Sequence, residues 1–141
     1  MRLLLTTLAA LLLSLATAAQ SAVDTWITVD DNSGQDRSHI EIYERGGKLY
    51  GKIVKALDPD AEPTCTTCSG TRANQPYIGM DIIEGAEPDG ELEWTGKIYD
   101  PEGDATYKLV MWIEPDQPDR LYVRGKHWTG LYRTQTWKRK T

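Results

Sequence analysis

The stretch that decides the fold is Thr106-Tyr107-Lys108-Leu109-Val110-Met111-Trp112-Ile113-Glu114. Side chains alternate along it, so that every second residue points to the same side. The residues of one side are Tyr107, Leu109, Met111 and Ile113. A period of two over this length predicts a β-strand with one face in a core. These four residues are therefore expected to line the inside of a sheet.

The same strand pattern recurs on both sides of this stretch, interrupted by short turn-rich breaks. The predicted strands cover residues 25–29, 38–44, 48–56, 78–84, 91–99, 106–114, 121–124 and 131–138. Gly46-Gly47 predicts a tight hairpin, because glycine adopts positive φ at little cost. Eight sequential strands at hairpin spacing predict an all-β fold, an eight-stranded antiparallel up-and-down barrel. A two-sheet β-sandwich is the alternative.

The N-terminus has the pattern of a secretory signal peptide. A positive charge precedes an apolar run over residues 3–16, and small residues surround Ala18 and Ala19. This pattern predicts cleavage after Ala18 or Ala19, and export to the periplasm or the extracellular space. The run is shorter than the ~20 residues of a membrane-spanning helix, and the mature chain has no comparable run. We expect residues 1–19 to be removed and residues 20–141 to form one β-barrel domain.

Composition narrows the functional classes. The chain has 141 residues, a net charge of −5, 40% hydrophobic and 26% charged residues, which is ordinary for a folded domain. The acidic balance argues against nucleic-acid binding. Residues 20–119 carry 8 basic and 21 acidic side chains, whereas residues 120–141 carry 7 basic and none acidic. Acidic neighbours in a closed barrel would neutralise this basic end; anionic lipid or a partner is the alternative.

Cys65 and Cys68 are the only cysteines, and they lie in a long stretch without periodicity over residues 57–77. In an exported chain we interpret them as a local disulfide. A redox motif is a second interpretation, although such motifs belong to βαβ folds. A zinc site is a third, for which His39 and His127 are the available histidines.

No arrangement of residues in the sequence favours catalysis. Carboxylate pairs such as Asp30-Asp31 lie in turns, where aspartate is favoured by its hydrogen bond to the backbone. Neither histidine is spaced with serine or aspartate as in a nucleophile motif. We therefore predict a protein that is not an enzyme, with no catalytic residues, no metal site and no cofactor.

The aromatic residues are five Trp and seven Tyr, without Phe. An eight-stranded barrel is just wide enough to be filled by side chains or to hold one small ligand. We predict a cup for a small apolar or amphipathic molecule at one mouth, beneath the cysteine loop or the loop of residues 127–130. Its candidate wall is Trp94, Met111 and Trp137, and its candidate rim is Trp128. The alternative is an envelope protein-interaction module with a filled core.

Short motifs between Asp24 and Trp137 together resemble one family. They are Trp26 with Asp30-Asp31, Ile42-Tyr43-Glu44, Gly47-Lys48-Leu49-Tyr50-Gly51-Lys52-Ile53, Cys65-Thr66-Thr67-Cys68-Ser69-Gly70, Asn74-Gln75-Pro76, Gly79-Met80, Gly96-Lys97-Ile98-Tyr99-Asp100-Pro101-Glu102 and Arg133-Thr134-Gln135-Thr136-Trp137. In this order they resemble the domain-of-unknown-function 2147 family of small exported bacterial proteins. The resemblance implies a lipocalin-like barrel.

Lipocalin-like barrels usually carry Gly-x-Trp in the first strand and an arginine of the last strand over that tryptophan. The resemblance therefore implies barrel closure by Trp26 and Arg133, with Arg139 as the second candidate. Asp24 stands where those barrels have glycine. A cation over an indole face contributes about 0.5–2 kcal/mol and would tie the two ends of the chain together.

Overall fold

Eight β-strands form one closed ring in the computed structural model, which describes residues 21–141. The predicted signal peptide, residues 1–19, lies outside the described residues. The strands are β1 (Thr25–Val29), β2 (Asp36–Arg45), β3 (Lys48–Ala56), β4 (Asp81–Pro88), β5 (Glu93–Asp100), β6 (Ala105–Trp112), β7 (Arg120–Lys126) and β8 (Tyr132–Arg139). All neighbours are antiparallel, and β8 pairs with β1. The barrel prediction is confirmed, and the sandwich alternative is wrong.

The core lies inside this ring. Its largest fully buried side chains are Trp26 and Trp137, and inward-facing Leu109 and Met111 of β6 are also completely buried. β6 pairs with β5 along its whole length without a bulge. Every second residue of β6 therefore faces the core, as the sequence predicted. Removing these apolar surfaces from water is the main favourable contribution to folding.

β4 departs most from its predicted bounds. The sequence predicted a strand over residues 78–84 followed by a turn, whereas β4 covers Asp81–Pro88. Glu84 lies opposite Lys97, but Glu87 lies opposite Thr95, so β4 has one more residue than β5 over this span. That extra residue is a β-bulge, which interrupts the period of two and hides the strand from pattern recognition.

Two glycines make the bulge possible. Gly85 has a φ of 62°, which only glycine adopts readily. Gly96 lies against the bulge from β5, and a Cβ there would come within 2.8 Å of the Cα of Ala86. A side chain at position 96 would therefore force the two strands apart.

Trp26 and Arg139 close one end of the barrel. They lie opposite each other where β1 pairs with β8. The guanidinium carbon of Arg139 is 4.3 Å from the ring centroid of Trp26. The indole N–H of Trp26 donates to the carbonyl of Ala22 at 2.8 Å. The first and last strands are thus joined by a cation–π contact as well as by backbone pairing.

Arg139 also holds the neighbouring segments. It donates to the carbonyl of Pro118 at 2.8 Å and to the carboxylate of Asp24 at 2.7 Å. Burial acts to raise the pKa of Asp24, but hydrogen bonds from Arg139 and Thr25 and the charge of Arg139 outweigh it and lower that pKa. The aspartate that replaces the usual glycine is therefore a partner of the closing arginine.

The choice of Arg133 as closing residue is corrected by this geometry. Arg133 is exposed and forms an ion pair with Asp31 at the opposite end of the barrel. Arg133 and Arg139 both fall on the inward face of β8, because they are six residues apart in a period of two. Only the register of the closing pair, which is Trp26 opposite Arg139, distinguishes them.

Removing either closing side chain should destabilise the barrel. We expect Trp26→Ala to lower the free energy of unfolding by about 3–5 kcal/mol, as for other large-to-small core changes. Arg139→Met, which keeps the apolar stem, should lower it by about 1–2 kcal/mol through the lost cation–π contact. Urea unfolding followed by circular dichroism measures both. Arg133→Met is the control and should change stability by less than about 1 kcal/mol, because its ion pair is exposed. A loss for Arg133→Met equal to that for Arg139→Met would contradict the assignment.

Candidate functional site

Inward-facing side chains are buried at one end of the barrel and only partly buried toward the other. At the end closed by Trp26 and Arg139, most inward-facing side chains are buried. Toward the other end, which we call the mouth, six inward-facing residues are only partly buried. These six, which we call the cup, are Thr28, Ser38, Ile98, Tyr107, Gly125 and Gln135.

Strand register establishes that the cup residues face inward. Gly125 lies opposite fully buried Leu109. A Cβ on Gly125 would lie 3.4 Å from the Cβ of Tyr107 and 3.7 Å from Cγ2 of Ile98. Gln135 lies opposite buried Val123. A Cβ at position 125 would therefore already contact both Tyr107 and Ile98.

Thr28 and Ser38 extend the cup on the side of the first hairpin. They lie opposite each other, two residues beyond the buried pair Trp26 and Ile40. Their hydroxyl oxygens are 2.6 Å apart. Inward direction here follows from the alternation of both strands.

The cup combines a polar wall with an apolar floor. The side-chain oxygen of Gln135 accepts a hydrogen bond from the indole N–H of Trp137 at 3.1 Å. The ring centroid of Tyr107 is 6.2 Å from that of His127 in the loop above. Buried Trp137 and Leu109 lie beneath. A few polar groups over an apolar base is the usual make-up of a small-molecule site.

Two ion pairs connect the loops around the mouth. Arg37 at the start of β2 pairs with Glu102 between β5 and β6, and Arg133 pairs with Asp31. β2 and β5 are three strands apart in the ring of eight. The Arg37–Glu102 pair therefore joins distant sides of the mouth and narrows it.

Three of the four residues predicted to form a cup, Trp94, Met111 and Trp137, lie together in the core cluster, and Trp128 lies apart from them. Met111 and Trp137 are buried in the core, and only Trp137 adjoins the cup, through Gln135. Trp94 lies opposite Met111 toward the sealed end. Trp128 is 89% exposed in the loop between β7 and β8. Alternation identified inward positions correctly but could not tell how far along the barrel axis each one lies.

Cys65 and Cys68 are joined by a disulfide, with their Cα atoms 5.4 Å apart. With Met80 and Tyr99 they form a second buried cluster. Tyr99 follows inward-facing Ile98 and so points outward. The cysteine loop thus packs on the outer wall of the barrel, which corrects the expectation that it covers the cup.

A hydrogen-bonded pair anchors this loop to the barrel. The hydroxyl of Tyr99 donates to Asp104 at 2.6 Å, and the backbone N–H of Ser69 donates to the same oxygen at 3.1 Å. The bond from Tyr99, followed by those from Ser69, lowers the pKa of Asp104. Burial, followed by the bond to Asp104, raises the pKa of Tyr99 to about 12.

The outer wall carries two open grooves that the sequence did not predict. One, of about 590 Å³, lies over the β4 bulge between Arg45, Tyr50 and Lys97; the other, of about 440 Å³, lies beside the cysteine loop at Arg72 and Ile78. Both result from the irregular course of β4 and the loop before it. No residue of the predicted cup lines either groove.

Residues 21–141 offer neither a cluster of metal ligands nor a membrane-spanning helix. No group of three or more His, Cys, Asp or Glu in that part of the chain is placed to hold a metal ion. No helix in it is long and apolar enough to cross a membrane. His39 lies on β2 opposite Lys55, and His127 lies in the loop between β7 and β8.

A family model described as "Uncharacterized protein conserved in bacteria (DUF2147)" matches residues 24–139. The chain belongs to the DUF2147 family. A solved structure described as "Protein HP1028 from the human pathogen Helicobacter pylori belongs to the lipocalin family" superposes with a TM-score of 0.73. It is 18% identical, and the match covers 86% of this chain and 84% of that chain. The likeness shows a lipocalin-like fold, so the expected family and the expected barrel are both confirmed. No curated protein matches the chain.

The disulfide should contribute little to the stability of this DUF2147 barrel. Its ring is only four residues long, so Cys65→Ser/Cys68→Ser should lower the free energy of unfolding by no more than about 2 kcal/mol. Thiol titration of the unfolded, unreduced protein should find no free thiol, and urea unfolding measures the cost. Two free thiols would contradict the disulfide, and complete unfolding of the double variant would contradict the small contribution.

Two tyrosines of the DUF2147 barrel should ionise late. The hydroxyl of Tyr43 donates to Asp81, and burial together with this bond raises the pKa of Tyr43 to about 12, as for Tyr99. A free tyrosine ionises near pH ~10. Since the folded pKa is raised, this contribution to stability is complete below about pH 10 and is lost as the pH rises toward 12.

Measuring tyrosinate absorbance as a function of pH tests the raised pKa values of Tyr43 and Tyr99. A component near pH 12 is expected. Tyr99→Phe and Tyr43→Phe should each remove part of this late component, and the double variant should remove all of it. An unchanged late component in Tyr99→Phe would show that the assignment is wrong.

Proposed function

We propose that this protein is exported, that it binds one small amphipathic molecule in the cup, and that it does so without catalysing a reaction. The observation that carries the proposal is the partial exposure of inward-facing residues in a barrel whose other end is sealed. A closed wall with an open, partly polar interior offers a concave surface for one small ligand.

Export is supported by two features of the sequence and the fold. Residues 1–19 have the pattern of a signal peptide with cleavage after Ala18 or Ala19. The disulfide between Cys65 and Cys68 is of a kind that persists in oxidising compartments. We expect to recover the protein in the periplasmic or extracellular fraction. Its mass should be that of a chain starting at Ala19 or Gln20. Recovery of the uncleaved chain in the cytoplasm would contradict export.

The chemistry of the cup restricts the ligand. None of its six side chains is charged, and the rim residues Arg37 and Arg133 are engaged by carboxylates. A buried charge without a partner is costly, so the polar group of the ligand should be uncharged. Its apolar part would lie on Trp137 and Leu109. We therefore propose a neutral amphiphile, with one hydrogen-bonding head and one short apolar chain.

The alternative function is an envelope interaction module with a filled core. The sealed end, packed with Trp26 and Trp137, is common to both hypotheses. Only the cup favours ligand binding, so a variant that fills the cup separates the two.

Gly125→Leu should fill the cup. The added Cβ makes ordinary contacts with Tyr107 and Ile98, and the rest of the side chain occupies the space between them. A short-chain monoacylglycerol is the probe, followed by calorimetry and Trp fluorescence. For the wild type we expect a Kd of about 1 μM, which corresponds to about −8 kcal/mol. Gly125→Leu should bind at least about tenfold more weakly, a loss of ~1.4 kcal/mol.

Thr136→Leu is the matched control. Thr136 lies between inward-facing Gln135 and Trp137 and so points outward, where an added leucine leaves the cup unchanged. This variant should bind as the wild type does, and circular dichroism should show both variants folded. Equal binding by both variants, or no binding of the probe to the wild type, would favour the interaction module.

A further inference from the structure

An exposed apolar tip projects beside the mouth. Among residues 21–141 the three most exposed large hydrophobic side chains are Trp128 at 89%, Leu131 at 75% and Tyr132 at 60%. All three lie within five residues of one another, in the loop between β7 and β8 and at the start of β8. We call them the tip. Single exposed apolar residues are common, but a cluster marks an interaction surface.

The tip is held in place by hydrogen bonds of its own loop. The N–H of His127 donates to the carbonyl of Leu131 at 2.7 Å, and that of Gly130 donates to the carbonyl of His127 at 2.9 Å. Nδ1 of His127 is 2.9 Å from the hydroxyl oxygen of Thr129. The loop is therefore a closed turn that fixes its apolar side chains in solvent.

A row of three lysines crosses the outer wall next to the tip. Lys97 lies directly opposite Lys108, and Lys108 directly opposite Lys126, on β5, β6 and β7. All three are exposed. Like charges directly opposite each other destabilise a sheet. We call these residues the lysine row.

Within the described residues, no ion pair joins a carboxylate to the lysine row, although Glu84 and Glu87 line the groove beside Lys97 and Lys108. None of the ion pairs in that part of the chain includes Lys97, Lys108 or Lys126. Glu84 lies opposite Lys97 but pairs with Arg72. The repulsion in the row is thus left for an external anion to relieve.

The lysine row and the tip form one continuous surface. Lys126 ends the row and lies opposite Tyr132 of the tip. The guanidinium carbon of Arg124 is 4.4 Å from the ring centroid of Tyr132 and 4.9 Å from that of Trp112. Positive charge therefore surrounds exposed aromatic rings on the wall formed by β5 to β8.

Nearby carboxylates in the loop between β5 and β6 are already engaged. Glu102 pairs with Arg37, and Asp104 accepts hydrogen bonds from Tyr99 and Ser69. They offer little counter-charge to Lys97 and Lys108. The positive charge outside the barrel is therefore concentrated where Lys126 and Arg124 adjoin the tip.

We propose that the tip and the lysine row dock on the surface of an anionic lipid bilayer. Trp and Tyr favour the boundary between water and lipid, where an apolar ring and a polar edge are both satisfied. Lysines keep their charge at the headgroups while their stems cover apolar surface. A projecting tip enters a fluid layer readily, whereas a soluble polyanion would use the lysines and leave Trp128 and Leu131 in water. Docking turns the mouth toward the bilayer, and it does not depend on a ligand in the cup.

Vesicle co-sedimentation tests the docking. The protein should bind vesicles that contain phosphatidylglycerol and should not bind vesicles of phosphatidylcholine alone. Trp fluorescence should shift to shorter wavelength on binding, and Trp128→Ser/Leu131→Ser should abolish both signals. Because the substituted residues are exposed, this variant should remain folded, as circular dichroism can verify. Every variant and the wild type are used in the processed form without residues 1–19, so that the apolar run of residues 3–16 does not bind vesicles itself.

A charge-matched pair of variants tests the lysine row. Lys97→Gln/Lys108→Gln/Lys126→Gln should weaken vesicle binding by roughly fivefold for each lysine removed. The control Lys48→Gln/Lys52→Gln/Lys55→Gln removes the same charge from β3 and should bind nearly as the wild type does. Equal weakening by both triple variants would overturn the assignment to this surface.

Three other results would also overturn the proposal. One is equal binding to neutral and anionic vesicles. Another is binding of a soluble polyanion such as heparin without binding of vesicles. The third is a dimer in analytical ultracentrifugation that Trp128→Ser/Leu131→Ser dissolves, which would assign the tip to a second copy of the chain. Gly125→Leu should bind vesicles normally, so failure of the docking and failure of ligand binding can be distinguished.

Discussion

The contact of the Arg139 guanidinium with the Trp26 indole is the interaction on which the barrel depends. β1 and β8 pair only at Trp26 opposite Arg139 and at Ile27 opposite Lys138, whereas β7 and β8 pair along their whole length. The closing seam is therefore the weakest part of the backbone ladder. The guanidinium of Arg139 lies over the fully buried ring of Trp26 and is hydrogen-bonded to Asp24 and to the carbonyl of Pro118. These side-chain contacts hold β1 against β8 where few backbone pairs do.

The two ends of the barrel have different roles. Apolar packing around Trp26 and Trp137 provides stability where no ligand enters. Polar and half-exposed residues can then occupy the other half of the interior, since the fold does not rely on their burial. Outside the barrel, ion pairs connect the loops of the mouth, whereas no ion pair among the described residues includes the lysine row.

Local patterns predicted much of the fold and little of the site. β3 has its predicted bounds, Lys48–Ala56, because Gly46-Gly47 and an alternating strand specify them locally. β4 was misplaced because the bulge at Gly85 breaks the period of two. The depth of the predicted cup residues was missed for a different reason. A period of two gives the direction of each side chain, whereas its depth in the barrel depends on how strands far apart in the sequence are staggered.

The seam has a consequence for the order of the chain. The N–H of Lys140 donates to the carbonyl of Thr25 at 2.9 Å, so the two ends of the strand ring lie side by side. A short linker between them would turn the seam into an ordinary hairpin. The chain could then be opened at Gly46-Gly47, an exposed turn outside the core, to give a circular permutant with the same wall and the same mouth. The order in which the strands follow one another along the chain is thus separable from the architecture they build.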